Sequence, residues 1–152
     1  MSFALFFVPP FCVLLFVKLI PYERKLEGKR LIFVTADSCR IQLARLTQLL
    51  VSAFPGSTIY QHTDLFHVPH DVLNNRVDAV FLEAETEKTS GLDLMQKLRR
   101  QKPELPVFII SKTNNFREKA VEAGASGYFV LPDSEQQLLD AIRLVKSKEN
   151  VS

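Results

Sequence analysis

Cysteine and glycine are scarce in this chain, with 2 Cys and 5 Gly among 152 residues. So few cysteines exclude a disulfide scaffold, and so few glycines exclude a collagen-like repeat. Cys12 and Cys39 stand in different contexts and read as free thiols of a reducing compartment. An excess of one charge is also lacking over most of the chain. Residues 31–152 carry fourteen basic and fifteen acidic side chains, so they present no electrostatic footprint for nucleic acid, and none is expected as a partner. The basic excess sits in residues 1–30, where Lys18, Arg24, Lys25, Lys29 and Arg30 oppose Glu23 and Glu27. A hydrophobic fraction of 47% and a charged fraction of 24% match a folded domain rather than a disordered tail.

A long uninterrupted apolar run is missing too. Residues 3–17 are uncharged, but Pro9-Pro10 divides them and Lys18 follows, whereas a spanning helix wants roughly 20 apolar residues. No positive charge precedes the run and no small-residue cleavage site follows it, so it makes a poor secretory signal. Two readings of residues 1–30 stand. As a membrane anchor, the basic cluster from Arg24 to Arg30 would keep the following domain in the cytoplasm. As a mis-set start, Leu26-Glu27-Gly28 can be encoded by a purine-rich ribosome-binding run just ahead of Leu31, which a TTG start codon could encode. The expected organisation is an apolar leader and basic linker over 1–30, a domain over 31–148 and a tail over 149–152. The domain is expected in the cytoplasm in either case.

Beyond Arg30 short apolar runs alternate with amphipathic stretches. Leu31–Thr35 reads as a strand buried on both faces. Ser38 is the expected N-cap of a helix whose Leu43, Leu46, Leu49, Leu50 and Ala53 recur at helical spacing, and Pro55-Gly56 ends it. Thr58–Gln61 is a second strand, and Pro69 opens a short helix near His70–Asn75. Ala79–Leu82 is the third strand, followed by a helix marked by Leu92, Met95 and Leu98. Pro106–Ser111 is the fourth, followed by a helix marked by Phe116, Ala120 and Ala123, with Gly124 placed at its end. Gly127–Val130 is the fifth, and Leu138, Ala141, Ile142 and Val145 stripe the last helix. Five strand–helix units predict a doubly wound α/β domain with a parallel sheet.

In such sheets function gathers beyond the C-terminal strand ends. Those junctions read Thr35-Ala36-Asp37, Glu83 to Glu87, Ser111-Lys112 and Leu131-Pro132. Neither a GxGxxG after the first strand nor a P-loop is present, which argues against nucleotide binding. The segments VDAVFLEAETEKTSGLDLMQKLR, PVFIIS and GASGYFVLP carry a resemblance. They are similar to the third, fourth and fifth strand regions of bacterial response-regulator receiver (CheY-like) domains, over Leu31 to about Lys148. The resemblance implies a flavodoxin-like (βα)5 three-layer sandwich with strand order 2-1-3-4-5. It also implies that Ser111 and Tyr128 occupy the switch positions, and that Pro132 is the proline after the fifth strand.

The same resemblance exposes departures. The family places two or three acids after the first strand to hold Mg²⁺, where this chain has Thr35, Ala36 and Asp37. The phosphoacceptor aspartate position is Glu83, with Glu85 nearby, and the lysine position is Leu131. Phosphoryl transfer to a carboxylate needs a divalent cation and a fixed positive charge on the transferring oxygens. Mg²⁺ usually takes one or two carboxylates, so its binding is expected to be weak or absent, with no other cofactor. These departures imply a pseudo-receiver that works as an interaction module rather than as an enzyme. Glu83 reads either as a stand-in for phosphoaspartate or as drift, and the missing lysine counts against the former. Lys112 is a candidate replacement cation, placed to pair with Glu83 or Glu85 or to point into solvent.

The expected partners are a histidine kinase, an output protein or a second copy, engaged through the fourth helix, fifth strand and last helix. With about four residues after the last helical pattern, no output domain is expected in the chain. An alternative is a phosphorylatable receiver with atypical residues, and another is a membrane-tethered scaffold. His62, His67 and His70 lie near Asp64 and Asp71 without a known ligand spacing, so no metal site is assigned. Arg99, Arg100 and Lys102 form the basic end of a helix, where they suit its dipole. Cys39 is expected to be a buried structural thiol, with a thiolate at a helix start as the second reading.

Overall fold

The apolar runs become strands because each is rich in β-branched or aromatic residues and bounded by polar or turn residues. The computed structural model describes residues 29–85 and 89–149. Within it β1 (Ile32–Ala36), β2 (Thr58–His62), β3 (Ala79–Glu83), β4 (Val107–Ser111) and β5 (Gly127–Val130) form one sheet. The strand order is β2-β1-β3-β4-β5 and every pairing is parallel. Helices α1 (Arg40–Ala53), α2 (Val68–Asn74), α3 (Gly91–Gln101), α4 (Arg117–Glu122) and α5 (Glu135–Glu149) follow the strands in turn. This is the expected doubly wound sandwich. Strand limits differ from the sequence reading by one residue at most, and α2 begins two residues earlier, with Pro69 in its first turn. Most of the leader (residues 1–28), residues 86–88 and residues 150–152 of the tail lie outside the described residues. No helix among the described residues is long and apolar enough to cross a membrane.

Strand alternation sorts the core into two layers. Val34, Ala36, Val80, Leu82, Val107, Ile109 and Tyr128 face α2, α3 and α4, meeting Val72, Met95, Leu98 and Ala120. Phe33, Ala79, Phe81, Phe108 and Ile110 face α1 and α5, meeting Leu46, Leu50, Leu138 and Ile142. In that second layer Phe54, Phe33, Phe81, Phe108 and Phe129 form a row across the sheet, with successive ring centroids 5.6, 5.7, 5.4 and 6.0 Å apart. Such edge and offset contacts contribute about 0.5–1.5 kcal/mol each beyond burial.

The opposite edges of the sheet are built differently. At its N-terminal edge Asp78 and Lys146 are both buried. The Lys146 ammonium lies 2.9 Å from Asp78 Oδ1 and 2.6 Å from Glu149 Oε2, while Ile32 N–H donates to Asp78 Oδ2 at 2.8 Å. The end of α5 is thereby fixed to the starts of β1 and β3. At the C-terminal edge the β3–α3 connection folds tightly. Gly91 N–H donates to Ala84 O at 3.0 Å, and the Ser90 hydroxyl caps α3 by accepting from Asp93 N–H at 3.4 Å. Glycine is required there, since a Cβ on Gly91 would stand 1.8 Å from Glu83 O. Gly124, with φ +87°, ends α4 in the left-handed conformation expected of it.

Candidate functional site

The C-terminal ends of β1, β3 and β4 surround a cleft of about 210 Å³. Asp37, Ser38, Cys39 and Gln42 line it from the β1–α1 junction, Glu83, Ala84 and Glu85 from β3, and Ile110, Ser111, Lys112 and Phe116 from β4 onward. The structure thus brings together Asp37, Glu83, Glu85, Ser111 and Lys112, as the sequence reading places them. Thr86 and Glu87, also in that reading, lie outside the described residues.

Ser38 does not cap α1 as expected; the N-cap position belongs to Cys39. Ser38 instead holds Glu83, its backbone N–H donating to one carboxylate oxygen at 2.7 Å and its hydroxyl to the other at 3.0 Å. The longer glutamate stem reaches across to the β1–α1 turn, which occupies the serine that would otherwise cap the helix. Asp37 is 3% exposed. Its carboxylate accepts from Cys39 N–H at 2.8 Å. Burial, reinforced by the neighbouring Glu83 charge, raises its pKa to about 6, against the opposing Cys39 N–H and Lys112.

Of the two readings of Lys112, the ion pair with Glu83 or Glu85 is not formed: among the described residues no Lys112 nitrogen lies within 4.0 Å of a carboxylate oxygen, and the side chain is exposed. Glu83 is already satisfied by Ser38, and the exposed Lys112 acts on the Cys39 and Asp37 side of the cleft. Cys39 is half-buried rather than the buried structural thiol expected. The Gln42 N–H first, then Lys112 and the Ile41 N–H, draw its thiol below the ordinary range.

Three positions face away from the chemistry. Thr35 is fully buried on the Phe33 side of the sheet, and its hydroxyl has no hydrogen-bond partner among the described residues. Ala36 packs with Leu65 and Leu82, and Leu131 packs with Phe108, Ile110 and Leu138. The Leu131–Pro132 peptide bond is cis. The Ser111 hydroxyl accepts from Thr113 N–H at 3.2 Å. Tyr128 is turned inward and 5% exposed, its hydroxyl donating to Thr113 O, with the Arg117 guanidinium 5.0 Å above the ring. The histidines form a separate group at the β2–α2 corner. His62 and His70 approach Asp71, and His67 approaches Asp64 at 3.2 Å.

The profile of the response regulator receiver domain matches residues 32–143. The chain belongs to this receiver family. Among curated proteins, this receiver is 28% identical over 103 residues to the response regulator protein TodT of Pseudomonas putida, covering 66% of this chain and 42% of that protein. It is 30% identical over 103 residues to the response regulator protein TmoT of Ectopseudomonas mendocina, covering 66% and 43%. The chain therefore spans less than half the length of these curated relatives. Its fold matches the signal receiver domain of an HD domain-containing protein from Pseudomonas fluorescens Pf-5, with a TM-score of 0.71 at 23% identity, covering 82% of this chain and all of that one. A receiver domain protein from Clostridium thermocellum gives 0.69 at 21% identity, covering 80% and 98%.

The sequence reading missed the Ser38–Glu83 clasp and the burial of Gln42 in the cleft wall. A serine ahead of a helical stripe signals a cap, and nothing local distinguishes a cap from a clasp to a strand 45 residues on. Gln42 precedes Leu43 on the polar side of the stripe and gives no signal of its own.

Proposed function

We propose that this receiver works without phosphorylation, as a protein-interaction module of a two-component pathway. The observation that carries the reading is the state of Glu83, at the phosphoacceptor position. Both its carboxylate oxygens accept from Ser38, which holds the carboxylate against the β1–α1 turn and weakens it as a nucleophile toward a phosphodonor. The Mg²⁺ that the family implies does not fit the donor set. Ala36 is buried among aliphatic side chains, the Asp37 carboxylate accepts from Cys39 N–H, and its raised pKa weakens it as a ligand. Leu131 brings no charge to the cleft because it belongs to the apolar layer.

Glu83 does not act here as a stand-in for a phosphorylated aspartate. Such a stand-in would draw the Ser111 hydroxyl toward it, whereas among the described residues Glu83 is held by Ser38 and no hydrogen bond joins it to Ser111. With no phosphoryl group to toggle it, the domain offers one fixed surface in the cytoplasm to a histidine kinase, an output protein or a second copy. The α4–β5–α5 face suits this, since Val121 and Leu144 are exposed at 67% and 55%. The test is incubation with acetyl phosphate and Mg²⁺ followed by intact mass measurement. No gain of a phosphoryl group is expected. A stable, Mg²⁺-dependent adduct would overturn the reading in favour of a phosphorylatable receiver with atypical residues.

A further inference from the structure

The two edges of the sheet carry opposite charge. At the N-terminal edge, where strands begin and helices end, stand Arg30, Arg76, Arg99, Arg100, Lys102 and Lys148. None of the six is in an ion pair among the described residues. Acids are fewer there: Asp78 and Glu149 are held by Lys146, which leaves Glu104 and Glu122. Hydrogen bonds join the segments that carry the basic residues into one rim. Asp78 N–H donates to Ile32 O at 2.7 Å, the Lys102 ammonium to Val72 O at 2.5 Å and the Arg99 guanidinium to Ser126 Oγ at 3.4 Å. The C-terminal edge is acidic, with Asp37, Asp64, Glu83, Glu85, Asp93 and Asp133 against Arg40, Lys112 and Arg117. Helix dipoles favour basic residues at the ends of α3 and α5. They do not account for Arg30 and Arg76, which are exposed in the entries to β1 and β3.

We propose that the N-terminal edge of the sheet is a docking surface for the anionic headgroups of a phospholipid bilayer, with the cleft turned away from the lipid. The match is one of charge and of shape. Four of the six cations are arginines, whose guanidinium groups fork onto phosphate oxygens. A bilayer is flat and meets one edge of the sheet without meeting the other. The two edges are about 17 Å apart along a five-residue strand, beyond the roughly 8 Å over which salt screens charge in the cell. The acidic edge therefore does not cancel the attraction. The sequence leading into the basic edge selects lipid over nucleic acid as the anion. It adds Arg24 and Lys25 ahead of Lys29 and Arg30, and the uncharged apolar residues 3–17 before them. A polybasic segment beside apolar side chains suits a lipid surface, whereas a nucleic acid has no apolar phase to receive them. Docking of this edge does not involve Glu83, so it is independent of whether the receiver is phosphorylated.

The test is co-sedimentation of the full chain with vesicles of phosphatidylcholine alone and of phosphatidylcholine mixed with phosphatidylglycerol. Partition into the anionic vesicles is expected to be at least about a hundredfold stronger, and the difference to vanish near 0.5 M salt, where roughly 4 Å suffices for screening. Arg76→Gln/Arg100→Gln should lower the anionic partition by about tenfold or more, with the fold checked by circular dichroism. Arg40→Gln/Lys119→Gln removes the same charge from the first turns of α1 and α4 and should change it by less than about threefold. The chain has no tryptophan, so single reporters give the orientation. Energy transfer to a dansyl-labelled lipid should be strong from Gln101→Trp, at the end of α3, and weak from Phe66→Trp, exposed on the opposite edge. Equal losses in the two charge variants, an Arg76→Gln/Arg100→Gln variant that partitions as the parent does, or equal transfer from the two reporters would each overturn the proposal. Retention on duplex DNA in place of the vesicles would overturn it as well.

Discussion

Replacing Lys146 by methionine tests the N-terminal edge of the sheet. The substitution keeps most of the aliphatic stem but removes the ammonium 2.9 Å from Asp78 Oδ1. Asp78 is 5% exposed, so its carboxylate would be left in a low-dielectric site with Ile32 N–H as its remaining described partner. Breaking a buried pair from one side costs about 3–5 kcal/mol, because an uncompensated charge remains inside. Glu149 also loses its lysine contact, but at 40% exposed it is rehydrated and adds little. A domain of about 120 residues unfolds with an entropy near 0.25 kcal/mol per kelvin, so the melting temperature should fall by about 12–20 °C. The companion variant Asp78→Asn/Lys146→Met keeps an oxygen for Ile32 N–H and carries no buried charge. It should recover most of the loss, as neutral replacements of buried pairs often do. Urea denaturation and calorimetry of both variants give the comparison. A single variant within 1 kcal/mol of the parent, or a double variant no better than the single, would refute the assignment of buried-pair energetics to this edge.

Asp37 makes stability depend on pH with an unusual sign for a carboxylate. Its folded pKa of about 6 lies above the unfolded value of 3.8, so the folded state binds the extra proton and stability falls as pH rises between those values, then levels off. Asp37→Asn, which retains an oxygen for Cys39 N–H, should abolish that slope and stabilise the domain near neutral pH by at most about 3 kcal/mol, read as the difference in melting temperature against pH. Gly91→Ala should destabilise by about 1–3 kcal/mol in urea unfolding, because its Cβ must displace Glu83 O. Tyr128 and Ser111 should show no shared millisecond exchange in relaxation-dispersion NMR, since the tyrosine hydroxyl and the serine oxygen are both bonded to Thr113; coupled exchange of β4 and Tyr128 would show a live switch.

The architecture was legible in the sequence for a physical reason. A parallel strand buried on both faces must be almost continuously apolar, and Leu31–Thr35, Ala79–Leu82 and Pro106–Ser111 fit that pattern between polar breaks. Once the strand ends were placed, so was the rim on which Asp37, Glu83, Ser111 and Lys112 gather. Partners were less legible than positions. A one-residue shift in the start of α1 passes the cap from Ser38 to Cys39 and frees the serine for Glu83. Periodicity can place a side chain on a face, but it cannot choose among acceptors a few ångströms apart. Lys146 shows the same limit. The last-helix stripe of Leu138, Ala141, Ile142 and Val145 gives no sign of it, and only the packing of α5 on the sheet brings it to an aspartate 68 residues earlier. For the same reason the sequence placed Lys112 on the rim but left its ion pair and its solvent-facing alternative undecided.

The Asp78–Lys146 clasp also fixes a geography. It joins the chain where it enters β1 to the chain where it completes α5, so both ends of the described domain emerge on one rim and the cleft opens on the other. A strand of five residues is about 17 Å long, and that thickness separates the two rims. The described chain therefore enters and leaves the domain on the rim opposite the mouth of the cleft. The domain is thus a cup tied shut at its base by one buried ion pair, with Cys39, Glu83 and Lys112 around the lip.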